Sequence, residues 1–524
     1  MKRRDFCKGL AVTLAAGTLA PAAALPQAGA ATALVGRAVP DDYYTLWYRS
    51  DRCGADLRHD YYYSDSLFDH PATEYDNQLA LATLGMAAAA DCPWESDQRY
   101  WMEGEVGRAD HIRDAFAKLG FTEVQLFNYT HSLNDTPDTV GCAVARKTLV
   151  RGGRQVTIIG AFLRGSGYGA EWSGNLHAGP GSAHVGFVTA TRQLVEKIRA
   201  YIQTSAKRQP LGTLKLWMGG YSRGGGVANL VAARLPAVLP QLEKKNTYVY
   251  TFAAPASLTA ADCPDLQQDF DNNHAADGSL KKNWGTSNIF NIVSSGDVIP
   301  RILPAEWGFY RNGNDRFLPS TVIPEELQAL NDRSTRMEGT PIDFGRLAVT
   351  EEADAVLRSM MDLFCDRQTY YKGYEDAMRC MLQCATTRTE EEVTRGIVRD
   401  DAAVVAQLRS MELMQRFPQE KLERCVQAAS ALSRPVLEKL GSAVPLQAQQ
   451  IVIPMLAVGL CFELQPETVQ LVADFVLSTI TVEGQLSGIL KTVLCHFQEN
   501  YITVLEAYDP ADHGMTPYTR REEL

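Results

Sequence analysis

Leu214-Lys215-Leu216-Trp217-Met218-Gly219-Gly220-Tyr221-Ser222-Arg223-Gly224-Gly225-Gly226-Val227-Ala228-Asn229-Leu230-Val231 is the stretch from which the rest of this chain is read. Its first five residues have strand character, and Val227, Leu230 and Val231 recur at helical spacing. Between them lies Gly220-Tyr221-Ser222-Arg223-Gly224, the one Gly-x-Ser-x-Gly in the sequence. A strand that turns tightly into a helix leaves the turn residue in a strained backbone position, so the flanking residues must be small. Gly220 and Gly224 meet that need. A helix starting just after Ser222 also aims its first amides and its positive dipole end at the serine oxygen.

Working outward, the same alternation continues on both sides. Upstream, the spacing predicts a helix through Asn77 to Ala90, another carrying Ile112, Phe116 and Leu119, and a strand at Glu123–Phe127. Strands at Thr139–Val150 and Gln155–Phe162 are joined by the hairpin signal Arg151-Gly152-Gly153-Arg154, and a helix follows from Phe187 to Thr204. Downstream come a helix over Gly225–Leu235 and strands at Tyr248–Ala253 and Asn288–Val293. Helices alternating with short apolar strands imply an α/β class with a mainly parallel sheet and helices on both faces. The residues before Asp110, including Tyr61-Tyr62-Tyr63, read as a preamble to that fold.

From about residue 350 the strand patterns vanish and helical ones take over, as in Val356, Met360, Leu363 and Phe364. The expected organisation is an export segment at 1–30, an α/β core at 31–349, a helical cap or insert at 350–493, and a closing piece of the core at 494–524. The insert is expected to cap the site, with Met360, Met361 and Phe364 among residues offering an apolar wall.

Composition bounds the function. The chain has 524 residues, 45% of them apolar, and carries a formal charge of −11, so it can bury a large core. It shows no clustered Lys/Arg stripe, which argues against nucleic acid or an anionic membrane as partner. Lys2-Arg3-Arg4-Asp5-Phe6-Cys7-Lys8 precedes an Ala-rich apolar run and then Ala28-Gly29-Ala30, the pattern of an export signal. The paired arginines resemble the twin-arginine type, so a secreted or extracytoplasmic location is expected. No later apolar run reaches the roughly twenty residues a membrane span needs. The eleven cysteines are scattered and form no pair of Cys-x-x-Cys motifs, so no metal ribbon or redox dithiol is indicated. Cys380 and Cys384 fall on one face of a helix.

Several blocks resemble, in order, the class 3 (fungal-type) lipase family and its bacterial relatives. They are Ala161-Phe162-Leu163-Arg164-Gly165-Ser166, Glu171-Trp172-Ser173-Gly174-Asn175-Leu176, Ala183-His184-Val185-Gly186-Phe187, Thr251-Phe252-Ala253-Ala254-Pro255, and Asn291 to Arg301 around Asp297-Val298-Ile299-Pro300. The departures are an extra Leu163, Ser166 in place of Thr, and Tyr221 and Arg223 where family members usually have His and Leu. The resemblance implies an α/β-hydrolase fold and a serine ester hydrolase, a lipase or carboxylesterase, working without metal or cofactor. Its substrate would be a small-molecule or lipid ester, with transient contact with lipid aggregates. An acyltransferase or amide hydrolase using the same residues, or a binding protein on this scaffold, stays open as an alternative.

A serine hydroxyl needs a base to take its proton and a carboxylate to orient that base. In this fold class the order is Ser, acid, His. Asp297 follows a strand at the edge where sites form and matches the family block, so it is the expected acid. Three histidines follow Ser222. His274 precedes Asp297, so its order is wrong; His496, just before a helix, resembles the closing block of the bacterial relatives; His513 is its rival. His184 is read as a buried, structural residue. The expected oxyanion donors are the amide of Arg223 and, at the family's Thr position, Ser166.

Overall fold

The computed structural model describes residues 38–510 except 51–54, 92–103, 106–108, 132–137, 167–168, 181–183, 260–284, 305–306, 320–327, 329, 333–334, 336–341, 343, 345–346, 348–349, 365, 387–394, 441–445 and 470–487. The export segment, His274 and His513 therefore lie outside the described residues.

The chain opens with an antiparallel hairpin, β1 (Asp42–Ser50) and β2 (Ala55–Tyr63), paired from Asp42↔Tyr63 to Ser50↔Ala55. Then follow α1 (Asn77–Ala90), α2 (Ala109–Lys118), β3 (Thr122–Phe127), β4 (Cys142–Arg151) and β5 (Arg154–Leu163). Next come α3 (Gly169–Gly174), α4 (Val185–Arg208), β6 (Thr213–Tyr221) and α5 (Arg223–Val238). The strands β7 (Thr247–Phe252), β8 (Ile289–Ser294) and β9 (Asn314–Leu318) complete a seven-stranded sheet ordered β9-β8-β7-β6-β5-β4-β3. The pairs from β9 to β5 are parallel, and β5–β4 and β4–β3 are antiparallel. This is the α/β-hydrolase architecture expected from the sequence.

Strand alternation sends side chains of β6 into two cores. Trp217 and Tyr221 join the hairpin, α1 and α2 on one face. Leu216 and Met218 join α4 and α5 on the other. The helix α1 approaches β6 closely because its side chains are small. It starts at Asp76, whose carboxylate accepts from Leu79 N at 2.7 Å, capping a helix of mostly Ala and Leu. Trp217 Nε1 donates to Thr83 Oγ1 on α1 at 2.7 Å, and a Cβ at Gly219 would stand 2.4 Å from Thr83 Cγ2. The sheet and α1 thus touch where neither could carry a larger residue.

The residues before Asp110 are therefore more than a preamble, and this corrects the sequence reading. Leu46, Tyr48 and Ser50 of β1 are buried in alternation with outward residues, while Tyr61 and Tyr63 of β2 are buried from the other strand. Tyr63 stacks on Trp217 with centroids 5.8 Å apart. The edge strand β9 was also missed, since Asn314-Asp315-Arg316 does not read as a strand. Its polar residues are held by partners inside the fold: Asp315 accepts from Arg311 Nε at 3.0 Å and from Asn291 Nδ2 at 2.9 Å.

Beyond the sheet lie α6 (Thr350–Phe364), α7 (Glu375–Thr386), α8 (Asp401–Ser410), α9 (Gln419–Leu440), α10 (Leu446–Cys461) and α11 (Gly488–Leu494). The helices α6 to α10 share a third core around Phe364, Met381, Leu408, Val426 and Val458 with Ala178, Ala256, Leu303 and Phe309 of the preceding part. Cys380 and Cys384 are both buried there as free thiols. Phe364 packs edge-on against Tyr370 and Tyr374 at 5.2 and 5.4 Å, so its ring serves that core. Met360 packs against that core and also lies with Val356 and Leu357 against Val298 and Ile299. The final helix, α12 (Gln498–Ala507), returns to the sheet and packs into the hairpin core. Among the described residues no helix is long and apolar enough to cross a membrane.

The turn after β6 is crowded on both sides. A Cβ at Gly224 would lie 2.4 Å from the backbone oxygen of Arg164, and one at Gly220 would lie 2.4 Å from that of Gly224. Gly224→Ala is expected to lower stability by about 2 kcal/mol or more, read as a fall in the urea midpoint at constant slope. Gly152→Ala, at a positive φ but with open space around it, should cost only the backbone strain, about 1–2 kcal/mol.

Candidate active site

Ser222 sits between β6 and α5 with φ 52° and ψ −125°, a left-handed backbone that a serine adopts only under constraint. The constraint is visible: its N–H donates to Phe252 O on β7 at 2.9 Å, and its carbonyl accepts from Gly226 N at 3.0 Å, starting α5. The side chain is thereby lifted off the end of the sheet.

His496 lies between α11 and α12 and is brought to the serine from the far end of the chain. Its Nε2 is 2.9 Å from Ser222 Oγ and its Nδ1 is 2.8 Å from Asp297 Oδ2. The carboxylate can only accept, so Nδ1 carries the proton and the lone pair of Nε2 faces the serine hydroxyl. Asp297 follows β8 and is wholly buried. Its Oδ1 accepts from Ile299 N at 2.9 Å, and its Oδ2 accepts a second hydrogen bond from Tyr501 Oη at 2.8 Å. The Tyr501 phenol in turn accepts from Ser294 N at 2.9 Å. Burial, with the Asp297 carboxylate second, raises the Tyr501 phenol well above its usual range, so it stays a donor. The imidazole ring remains partly open, its side chain 17% exposed.

Two further contacts hold the histidine loop. Tyr221, beside the serine, donates its hydroxyl to His496 O at 2.5 Å and sets its ring edge-on to Tyr501 at 5.5 Å. Buried Asp91, just after α1, accepts from Gln498 Nε2 at 2.6 Å through one oxygen and from Gly165 N at 2.8 Å through the other. The carboxylate occupies the space a side chain at 165 would need, since a Cβ there would be 2.8 Å from Asp91 Oδ1.

Ser166 is placed at the end of β5 by an ion pair fully inside the protein. Arg164 donates from both terminal nitrogens to Glu171, at 2.6 and 2.8 Å, with neither side chain exposed. Such a pair offsets its desolvation best when its geometry is bidentate and the terminal nitrogens find further acceptors, as those of Arg164 do at Asn128 O and Gly165 O. Ser166 Oγ accepts from Asn175 Nδ2 at 2.8 Å, so its own proton is left to point elsewhere. The Asn175 amide is fixed at its other end by Arg223, whose guanidinium donates to Asn175 Oδ1 at 2.9 Å, to Gly186 O at 2.9 Å and to Thr139 O at 3.2 Å. The arginine that stands in the Gly-x-Ser-x-Gly motif is thus buried, directed away from solvent, and stacked on Phe187 at 4.9 Å.

His184 closes this arrangement. It lies flat on Phe187 at 4.0 Å and its Nε2 faces Asn175 O at 2.9 Å, which makes Nε2 the protonated nitrogen. Burial pushes its pKa down to about 3. It is therefore neutral at working pH and serves to hold Asn175, in keeping with the structural role read from the sequence. Tyr501, Tyr221, Asn175 and Asp91 were not singled out as functional. Asn175 and Tyr221 lay within quoted blocks, but the contacts of Tyr221, Tyr501 and Asp91 carry no local signal, since each acts across 74 or more residues of chain.

Residues 165–307 match the family model of class 3 lipases. Ser166, Ser222, Arg223 and Asp297 fall inside that segment, and His496 lies outside it. Solved structures similar to this chain include lipase II from Rhizopus niveus, at 18% identity over 46% of this chain and 80% of that one, with a TM-score of 0.30. The lipase from Rhizopus microsporus var. chinensis is 17% identical over 47% of this chain and 75% of its own, with a TM-score of 0.31. The Rhizomucor miehei lipase in its propeptide complex is 19% identical over 46% and 68%, with a TM-score of 0.30. No curated protein matches the chain. A lipase-type serine ester hydrolase is the enzyme class that the family match supports.

The lowered pKa of His184 has a sign that can be checked. A histidine depressed from the usual 6.5 to about 3 adds stability that is complete above pH 6.5 and is lost as pH falls toward 3, because the unfolded chain binds the proton first. His184→Gln should remove up to about 1.4 kcal/mol per pH unit from the slope of stability between pH 6.5 and 4. Urea unfolding of both proteins across that range measures the difference.

Proposed function

We propose that this chain hydrolyses carboxylic esters through an acyl-enzyme, with Ser222 as nucleophile, His496 as base and Asp297 as the acid that orients it. The observation that carries the proposal is the unbroken run of contacts from Ser222 Oγ to His496 Nε2 at 2.9 Å and from His496 Nδ1 to Asp297 Oδ2 at 2.8 Å, on a serine held in a strained turn.

The chemistry follows from these positions. His496 Nε2 takes the hydroxyl proton as Ser222 Oγ attacks the ester carbonyl, and the imidazolium so formed is stabilised by buried Asp297. The carbonyl oxygen becomes an oxyanion beside the start of α5, where the Arg223 amide and the Ser166 hydroxyl are the proposed donors. When the tetrahedral intermediate collapses, His496 returns the proton to the departing alcohol. Water then enters, loses a proton to the same nitrogen, attacks the acyl-serine and releases the acid. Tyr501 shares Asp297 Oδ2 with the histidine and so fixes the carboxylate that fixes the ring. The proposed substrate is a small-molecule or lipid ester. The twin-arginine-like segment Lys2 to Lys8 supports action outside the cytoplasm.

A fluorophosphonate probe should label the folded protein, and Ser222→Ala should abolish labelling and lower kcat on p-nitrophenyl esters by about 10⁶. Asp297→Asn should cost about 10⁴ in kcat with little change in KM, because the ring loses its tautomer partner. Absence of labelling of the folded wild type would refute the proposal. Faster turnover of simple amides than of esters would replace hydrolysis of esters by hydrolysis of amides.

A further inference from the structure

The helices beyond the sheet grip the segment that follows Asn175, and they grip it by its backbone. Tyr370 donates its hydroxyl to Leu176 O at 2.8 Å. Arg367 Nε donates to Gly179 O at 3.0 Å, and Glu375 Oε1 accepts from Gly179 N at 2.9 Å. Both polar groups of one residue, Gly179 at φ 63°, are thus taken by side chains nearly two hundred positions away.

None of these side chains is an incidental surface contact. Tyr370 and Glu375 are buried. The Tyr370 ring lies 5.2 Å from Trp307 and 5.2 Å from Phe364, and the Arg367 guanidinium covers Phe309 at 4.8 Å. A buried carboxylate with a backbone amide as its hydrogen-bond donor costs stability relative to an apolar residue of the same size, so Glu375 is a poor choice for packing alone.

The gripped segment is continuous with the residue that holds Ser166. Asn175 stands immediately before Leu176. Its side chain passes from Arg223 to Ser166, and its backbone oxygen is held by His184. Three anchors come from the core; along the next residues His177 O and Ala178 O accept from Gly186 N and Val185 N of α4, while Leu176 O and both polar groups of Gly179 are taken by the helical segment. We infer that Arg367, Tyr370 and Glu375 are positioning residues for ester hydrolysis, setting Ser166 through Leu176–Gly179 and Asn175. The helical segment then completes the oxyanion pocket from a distance. This inference rests on the proposed role of Ser166.

A double-mutant cycle in the full-length protein tests it. Tyr370→Phe removes one hydroxyl and keeps the ring against Trp307 and Phe364, and Glu375→Gln keeps size and hydrogen-bonding capacity at Gly179. Tyr370→Phe is expected to lower kcat on a short p-nitrophenyl ester about tenfold with KM within about twofold, because a misplaced donor weakens only the transition state. Glu375→Gln should retain most of the rate, whereas Glu375→Leu should lose it. In a Ser166→Ala background the Tyr370→Phe effect should shrink to under about twofold. An equal effect of Tyr370→Phe in both backgrounds, or wild-type kcat in both Tyr370→Phe and Glu375→Leu, would overturn the inference. Ser166→Ala at the wild-type rate would remove the oxyanion role and the inference with it. Failure of the wild type to react with fluorophosphonate would instead strike the hydrolase proposal itself.

Discussion

Close approach of three backbones at the end of β6 is the constraint on which the rest of this structure depends. Gly220, Gly224 and Gly219 each stand where a single carbon would collide, the first two with backbone and the third with Thr83 of α1. Backbone cannot move aside as a flexible side chain can, so these positions tie β6 to β5, to α5 and to α1 at once. Ser222 inherits its left-handed conformation from that crowding. The strain there is small beside the packing energy of two sheet faces, which is why the turn can be kept in a conformation that a free peptide would leave.

Around the strained serine the protein sets polar side chains that are buried and mutually satisfied. Arg164 with Glu171, Arg223 with Asn175, Asp297 with His496 and Tyr501, and Asp91 with Gly165 and Gln498 all follow one rule. A polar group removed from water needs a partner, and a partner far away in sequence ties distant loops into one geometry. Asp91 joins the β5 turn to the residues after His496, and Tyr221 joins the serine's own turn to the histidine's carbonyl. The site is rigid because its supports are hydrogen-bonded to one another and not merely adjacent.

Much of the sheet was legible because its signals are local. The strands β4 and β5, the Gly152-Gly153 turn between them, and the apolar stripe of α4 were read within four residues of their observed ends. The β1–β2 hairpin was not, although Leu46, Tyr48 and Ser50 alternate inward; its many tyrosines mask the contrast between buried and exposed positions. The strand β9 was hidden for a different reason. It is polar by sequence and becomes a strand because Asn291 and Arg311 satisfy Asp315 inside the fold. For the helices after residue 350, periodicity located the elements but not what they touch: Phe364 packs on Tyr370 and Tyr374 in a core shared with Ala178, Ala256, Leu303 and Phe309.

What the sequence determined by itself was the setting of Ser222: a strand, a turn flanked by glycines and a helix leave few conformations, so the turn could be placed from local sterics alone. It also supplied the expected order serine, aspartate, histidine. It favoured His496 over His513 only by resemblance and did not find Tyr501, Tyr221 and Asp91, because their contacts depend on which distant loops meet at the sheet's end. Only the tertiary structure brings His496 to Ser222 and Asp297 and sets those three side chains around it. Hydrogen bonds act over about 3 Å while their partners lie tens to hundreds of residues apart, and no pattern along the chain encodes that distance.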